Sequence, residues 1–109
     1  MSETDETKKP QSSNAIRSLQ ACEIEGKRVR AVVDLVDEHE KPNVELILLG
    51  ADEEVICRSL ILGTNTPHIE FTLHIRGVEP VRPLRLKCVV STQEALLLDE
   101  KSIEVGGIS

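Results

Sequence analysis

The chain has 109 residues, of which 13 are basic and 19 are acidic, giving a formal net charge of −6. This length suits one domain. Phosphate binding needs clustered Lys and Arg, so the acidic balance argues against a nucleic-acid partner. A segment that spans a bilayer needs about 18 consecutive apolar residues. No apolar run in this sequence approaches that length, so no membrane partner is expected.

The two ends of the chain are predicted to be polar extensions of a central domain. Residues 1–14 contain charges of both signs, one Pro and no apolar run, which predicts a disordered tail. Without the apolar segment of a signal peptide, the chain is expected to stay in the cytoplasm. Residues 15–105 are predicted to form the folded domain, and residues 106–109 a frayed C-terminus.

Apolar and polar residues alternate with a period of two along most of the central region, which is the pattern of half-buried β-strands. The clearest case is 68–76, where Ile69, Phe71, Leu73 and Ile75 share one face and polar residues share the other. Strands are predicted, in chain order, over residues 19–25, 28–36, 44–48, 54–62, 68–76, 84–90 and 95–105, with a bend in the last one near Asp99.

The alternation also predicts which side chains face the core. Cys22 and Ile24 are expected to point inward on the first strand, and the facing of strand 54–62 stays ambiguous. The other inward positions on three well-defined strands are Val29, Ala31, Val33 and Leu35, then Val44, Leu46 and Leu48, then Leu84, Leu86, Cys88 and Val90.

Turn signals separate these strands. Gly26, Gly50 and Gly63 lie in short polar connections, and the connection at 77–83 carries two prolines, which central strands do not tolerate. Seven strands at this spacing predict an all-β fold, a seven-stranded antiparallel β-sandwich.

The final third of the chain resembles a known class of sandwich. The segment Val78-Glu79-Pro80 precedes the alternating strand 84–90, and an acidic strand at 98–105 ends at Gly106. This pattern is similar to immunoglobulin-like and fibronectin type III-like domains, and in particular to the accessory sandwich domains of family 2 glycoside hydrolases. The resemblance implies an immunoglobulin-like architecture and a non-catalytic scaffolding or contact role. It transfers no functional residue, because the chain has no Trp or Tyr at the positions where such domains carry them.

The residues that usually carry chemistry do not form a catalytic constellation. His68 and His74 share a face, but six residues of strand place them ~20 Å apart, too far to share a metal ion. A site built on His68 and Glu70 would need a third ligand from a neighbouring strand. No metal, cofactor or enzymatic activity is therefore expected.

The three cysteines are widely spaced and form no C-x-x-C motif, which favours buried thiols in a reducing compartment. Cys88 lies on an inward face, where an apolar environment raises the thiol pKa and makes it inert. Cys57 would point outward if its strand faced the other way, and Arg58 beside it would then lower the thiol pKa. This leaves a thiol-dependent redox protein as one alternative function.

One group of aliphatic residues falls on outward positions. Ile47, Leu49, Val89 and Leu97 are expected to point away from the core, and in a fibronectin-like topology their strands are neighbours in one sheet. A contiguous apolar patch rimmed by charge is typical of a contact surface. The leading hypothesis is a non-catalytic protein-interaction or assembly module that binds another protein or a second copy of itself as a homodimer.

Other interpretations stay open. The aliphatics are alternatively scattered surface residues, which are common and need no function. An exposed edge strand could instead pair with a strand of a partner. A small-ligand or carbohydrate-associated accessory domain is the other alternative, although the single aromatic residue gives little for a sugar ring to rest on.

Overall fold

Seven strands form the two layers of the protein in a computed structural model that describes residues 15–36, 41–77 and 79–107. The predicted tail at 1–14 and residues 108–109 lie outside the described residues. The strands are β1 (Ile16–Ile24), β2 (Arg28–Leu35), β3 (Asn43–Leu49), β4 (Val55–Ile61), β5 (His68–His74), β6 (Arg85–Ser91) and β7 (Leu97–Glu104). None of the described segments forms a helix that could cross a bilayer.

The strands divide into a three-stranded sheet, in the order β1-β2-β5, and a four-stranded sheet, in the order β4-β3-β6-β7. Every neighbouring pair of strands is antiparallel. The prediction of an all-β, seven-stranded antiparallel sandwich is confirmed.

The core lies between the two sheets and consists of aliphatic side chains from alternate positions of the central strands. The inward positions predicted for β2, β3 and β6 are confirmed. Fully enclosed residues include Val29, Ala31, Val33, Val44, Leu46, Leu48, Leu86, Cys88 and Val90. Strands of alternating pattern therefore pack their apolar faces together and leave polar faces in solvent.

The facing predicted for β1 is wrong. The register places Glu23 opposite Val29, whose side chain is completely buried, so Cys22 and Ile24 point to the outer side. A charged residue can occupy the inner side here because Arg82 binds both oxygens of the Glu23 carboxylate. The residues of β1 on the inner side are Ile16, Leu19, Ala21 and Glu23.

The C-terminal segment crosses from the four-stranded sheet to the free edge of β1. The Gly106 N–H donates to the Ala21 carbonyl, and the Glu23 N–H donates to the Gly106 carbonyl, both at 3.0 Å. Gly106 thus forms a parallel bridge with Cys22. Backbone hydrogen bonds thus hold Gly106, the first residue of the segment predicted to fray, against β1.

Asp99 joins the two layers. Its side chain lies on the inner side of β7 and is 8% exposed. One carboxylate oxygen accepts a hydrogen bond from the Ile16 N–H at 2.8 Å, and the other accepts one from the Glu100 N–H at 2.7 Å. A register shift between Val90 and Ser91 lies next to this position, where the sequence predicts a bend. The carboxylate therefore anchors the start of β1 to β7.

Candidate interaction face

The four aliphatic residues predicted to form a contact surface share the outer face of the four-stranded sheet. Ile47 and Leu49 alternate with buried residues on β3, and Val89 does so on β6. Leu97 pairs with Ser91 at the start of β7, on the same side. Because β3, β6 and β7 are adjacent, these residues are brought onto one surface.

Their exposure differs widely. Leu97 is 57% exposed, whereas Ile47 is only 9% exposed, and Leu49 and Val89 are half-buried. The register explains the cover over Ile47, because Arg58 of β4 and Lys87 of β6 lie directly opposite it on either side. Long basic side chains lay their aliphatic stems over apolar neighbours while keeping the charge in water.

Two cross-strand ion pairs divide this face. Arg58 Nε lies 3.4 Å from Glu45 Oε2, and Lys87 Nζ lies 3.0 Å from Glu100 Oε2. Val89 sits in register between the two carboxylate residues. The face is therefore a mixture of aliphatic and charged positions. Exposed ion pairs contribute little to stability, so these charges are available to orient a partner.

Sequence reasoning missed further exposed aliphatic side chains at the same end of the sheet. Leu60, which is 58% exposed, pairs with Glu45 and so belongs to the outer face. Leu62, just after β4, is 69% exposed, and Leu96, just before β7, is 66% exposed. The facing of strand 54–62 was ambiguous from its own sequence, but its pairing with β3 would have placed Leu60 on this face.

Cys57 does not have the environment of a reactive thiol. It pairs with Leu48 and is half-buried on the inner side of β4. Burial raises the pKa of the thiol. Arg58, expected to lower that pKa, points to the opposite face and pairs with Glu45, so that expectation is wrong. Burial likewise raises the pKa of Cys88, as predicted, to about 12.

His68 takes part in a polar network on the outer face of the three-stranded sheet. Its Nδ1 lies 2.6 Å from Asp34 Oδ1, and its Nε2 lies 3.1 Å from Glu70 Oε2. Hydrogen bonds to Asp34 and then to Glu70 raise the pKa of His68. Since the two ring nitrogens face different carboxylates, the three groups do not converge on one metal ion. No set of three or more His, Cys, Asp or Glu side chains within the described ranges is arranged to hold one.

Ser18 also joins this network, but Ser18 and His68 do not form a pair of nucleophile and base. Its hydroxyl donates to Asp34 Oδ2 at 3.1 Å, so it contacts the carboxylate rather than the imidazole. Activation of a serine needs a direct hydrogen bond to the base. On the other side of His68, Glu70 accepts a hydrogen bond from Arg30 at 2.7 Å. This arrangement is a cross-strand polar network, as expected for a solvated outer face.

An open cleft of about 340 Å³ lies at the far end of the sandwich, between the β3–β4 turn and the segment before β6. Asp52, Glu54 and Arg76 contribute polar groups, while Val55 and Val81 contribute apolar surface. This size is at the lower limit for small-molecule sites. Phe71 is not among the residues that line the cleft.

Comparison with known proteins adds little to this description. No protein-family model matches the chain, and no curated protein matches it. A crystal structure of an endonuclease/exonuclease/phosphatase from Beutenbergia cavernae DSM 12333 is similar over 82% of this chain and 27% of that chain, with 11% identity and a TM-score of 0.49. The matched region therefore spans about a quarter of the other protein, and a likeness this weak carries no functional argument.

Proposed function

We propose that this chain is a non-catalytic protein-interaction module that binds a protein partner through the outer face of its four-stranded sheet. The observation that carries the proposal is the location of Ile47, Leu49, Val89 and Leu97 on that one face. The proposed centre of contact is the end where Leu97 and Leu60 are exposed. We further propose an immunoglobulin-like arrangement of the strands, which the division into three and four strands supports.

Aliphatic side chains in water favour an interface. Burying apolar area contributes roughly 25 cal/mol per Å² before the costs of association. The ion pairs Glu45–Arg58 and Lys87–Glu100 border the exposed leucines with both signs of charge. Interfaces typically place such charges around an apolar centre, where they orient the partner more than they add affinity. The contact role implied by the resemblance to accessory sandwich domains agrees with this proposal.

Leu97 is the position at which the proposal is best tested. A photo-crosslinking amino acid at Leu97 should capture a partner of defined mass in a lysate of cells that express the protein. The matched control carries the same group at Val81, which is 51% exposed but lies in the cleft at the opposite end. Capture from both positions, or from neither, contradicts the proposed face.

A charge substitution gives the second readout. With the photo-crosslinking amino acid moved to Leu60, Leu97→Asp should reduce capture by about tenfold or more, because it places a charge at a contact that excludes water. Val81→Asp should leave capture unchanged. Both side chains are largely exposed, so both variants should keep the thermal midpoint of unfolding within about 2 °C of the wild type. Equal capture from position 60 with and without Leu97→Asp would rule out Leu97 as a contact.

The small-ligand alternative is favoured by one observation, the cleft near the β3–β4 turn. The carboxylates of Asp52 and Glu54 line it beside Val55 and Val81, which suits a ligand with a cationic group and an aliphatic part. NMR titration with an aliphatic diamine and, separately, with a neutral monosaccharide tests this function. Shifts of the cleft amides with the diamine, absent from Asp52→Asn, would support it. Unchanged spectra with both probes would remove it.

We propose a cytoplasmic location, for which the three unpaired cysteines, Cys22, Cys57 and Cys88, are the support. The redox alternative gains no support from Cys57, since its pKa is raised.

A further inference from the structure

Strand β4 is apolar but poorly covered. Five of its seven residues, in the sequence VICRSLI, are apolar, yet all seven are exposed or half-buried. Each of the other six strands contains at least one buried residue. Val55 is 50% exposed and Leu60 is 58% exposed. A strand with this composition and this exposure has apolar surface available for a further contact.

β4 is also the least protected of the four strands at sheet edges. β1 pairs with the segment at Gly106. β7 carries four charged residues among eight, and the outward positions of β5 are polar. β4 carries one charge, Arg58, and no Pro or Gly. Charges, prolines and covering segments are the usual means by which edge strands avoid pairing with other chains.

Ser59 is at the centre of the regularly paired part of β4. A register shift between Leu48 and Leu49 disturbs the pairing at the start of β4, and residues 57–61 then pair with β3 without interruption. Ser59 is the central residue of this five-residue segment. We infer that β4 pairs antiparallel with β4 of a second copy of this chain, about a two-fold axis at Ser59. The two four-stranded sheets then form one continuous sheet of eight strands.

The side chains suit this register. Arg58 lies opposite Leu60 of the second copy, and Cys57 lies opposite Ile61 of the second copy. An axis at Arg58 would instead place two guanidinium groups directly opposite each other, which is unfavourable. Each Arg58 also keeps its own partner, Glu45, at 3.4 Å. The edge pairing thus joins apolar side chains without opposing like charges.

The inference is independent of the proposed docking face, because it uses the backbone edge of β4 and needs no other protein. Its test uses the purified full chain alone. Leu60→Lys and Leu60→Glu are the informative variants, since the new side chain would lie opposite Arg58 of the second copy. Val81→Lys and Val81→Glu are the matched controls, because Val81 is similarly exposed and lies in the cleft near the start of β4, outside the segment 57–61.

Sedimentation equilibrium from micromolar to millimolar concentration should show a monomer–dimer equilibrium. The symmetric dimer contains the substituted position twice. It therefore contains two copies of the new cross-strand charge pair with Arg58, and both contribute to the dissociation constant. Leu60→Lys should therefore raise the dissociation constant, and Leu60→Glu lower it, each by roughly two- to thirty-fold. Added salt should reduce both differences. The Val81 variants should dimerise as the wild type does.

Several results would overturn the inference. A wild-type chain that stays monomeric at millimolar concentration has no such dimer. Leu60→Lys and Leu60→Glu changing the dissociation constant in the same direction would exclude the pairing with Arg58. If the Val81 variants changed the dissociation constant as much as the Leu60 variants do, the change would be a general effect of net charge and not of pairing with Arg58. Circular dichroism of each variant confirms that the strands are retained, so that loss of dimer is not loss of fold.

Discussion

Removing the guanidinium group of Arg82 should destabilise the fold, because it leaves the carboxylate of Glu23 without its partner. The Glu23 side chain is 9% exposed and points to the inner side of β1. Arg82 Nε donates to Oε1 at 3.0 Å, and a terminal nitrogen donates to Oε2 at 2.7 Å. The bidentate contact joins residues 59 positions apart in the chain and attaches the segment before β6 to β1.

The expected cost of Arg82→Ala follows from this geometry. Breaking a fully buried pair by removing one partner costs about 3–5 kcal/mol, and a hydrogen bond to a charged group contributes about 1.5–3 kcal/mol. The Arg82 side chain is 39% exposed, so water reaches the guanidinium and the lower part of these ranges applies. We expect the free energy of unfolding to fall by about 2 kcal/mol. This corresponds to a decrease of about 10 °C in the thermal midpoint.

Urea unfolding followed by circular dichroism measures this change. Glu79→Ala is the matched control, since Glu79 also contacts Arg82 but its side chain is 60% exposed; it should cost less than about 0.5 kcal/mol. Replacing both partners, as in Glu23→Leu with Arg82→Leu, should bring stability back to within about 1 kcal/mol of the wild type. A cost below about 0.5 kcal/mol for Arg82→Ala would refute the reasoning.

The same pair predicts a dependence on pH. The hydrogen bond from Arg82 holds the pKa of Glu23 below 4.5, its ordinary value. A carboxyl whose pKa is lowered by folding contributes stability that is fully present above the unfolded pKa. That contribution is lost as the pH falls through the lowered pKa of the folded protein. The stability difference between the wild type and Arg82→Ala should therefore shrink as the pH falls below 4.5 and through that lowered pKa.

Two further predictions concern Asp99 and His68. Asp99→Ala should lower the free energy of unfolding by about 1.5–3 kcal/mol, because it leaves the buried Ile16 N–H without an acceptor. The control variant Glu100→Ala should lower it by less than about 0.5 kcal/mol. Chemical denaturation of both variants measures the two changes. An NMR titration should place the pKa of His68 above 6.5, and Asp34→Asn should move it down, since Asp34 is the largest cause of the shift. Stability from protonated His68 should be fully present below pH 6.5 and lost as the pH rises through its raised pKa. An unchanged His68 titration in Asp34→Asn would show that the contact is absent in solution.

The class of fold is readable from the sequence because alternation is a local property. Residues 28–35 and 85–90 each present an apolar row of period two, and a strand of that kind has a single way to bury its apolar face. The same alternation did not show which face of β1 points to the core. Leu19 and Ala21 share one face and Cys22 and Ile24 the other, so both faces offer apolar residues. Burial of Glu23 depends on Arg82, a residue that no local window contains.

Only one property of the candidate face was predictable from the sequence, namely which residues of each strand point outward. The outward positions Ile47, Leu49, Val89 and Leu97 follow from alternation, and the structure places them on one surface. Their accessibility depends on which residues lie opposite on neighbouring strands. Knowing that two strands are adjacent does not give the register between them.

An aliphatic residue on an outer face therefore has two distinct roles, and the residues opposite decide between them. Ile47 lies between Arg58 and Lys87, whose stems cover it, so it completes the packing of the sheet itself. A charge at Ile47 would disturb that packing, and loss of binding in such a variant would report on folding as well as on contact. Leu97 has only Ser91 opposite it, at the edge of the sheet, and keeps 57% of its surface in water. A charge at Leu97 therefore changes what the face presents to a partner while the sheet beneath it stays intact.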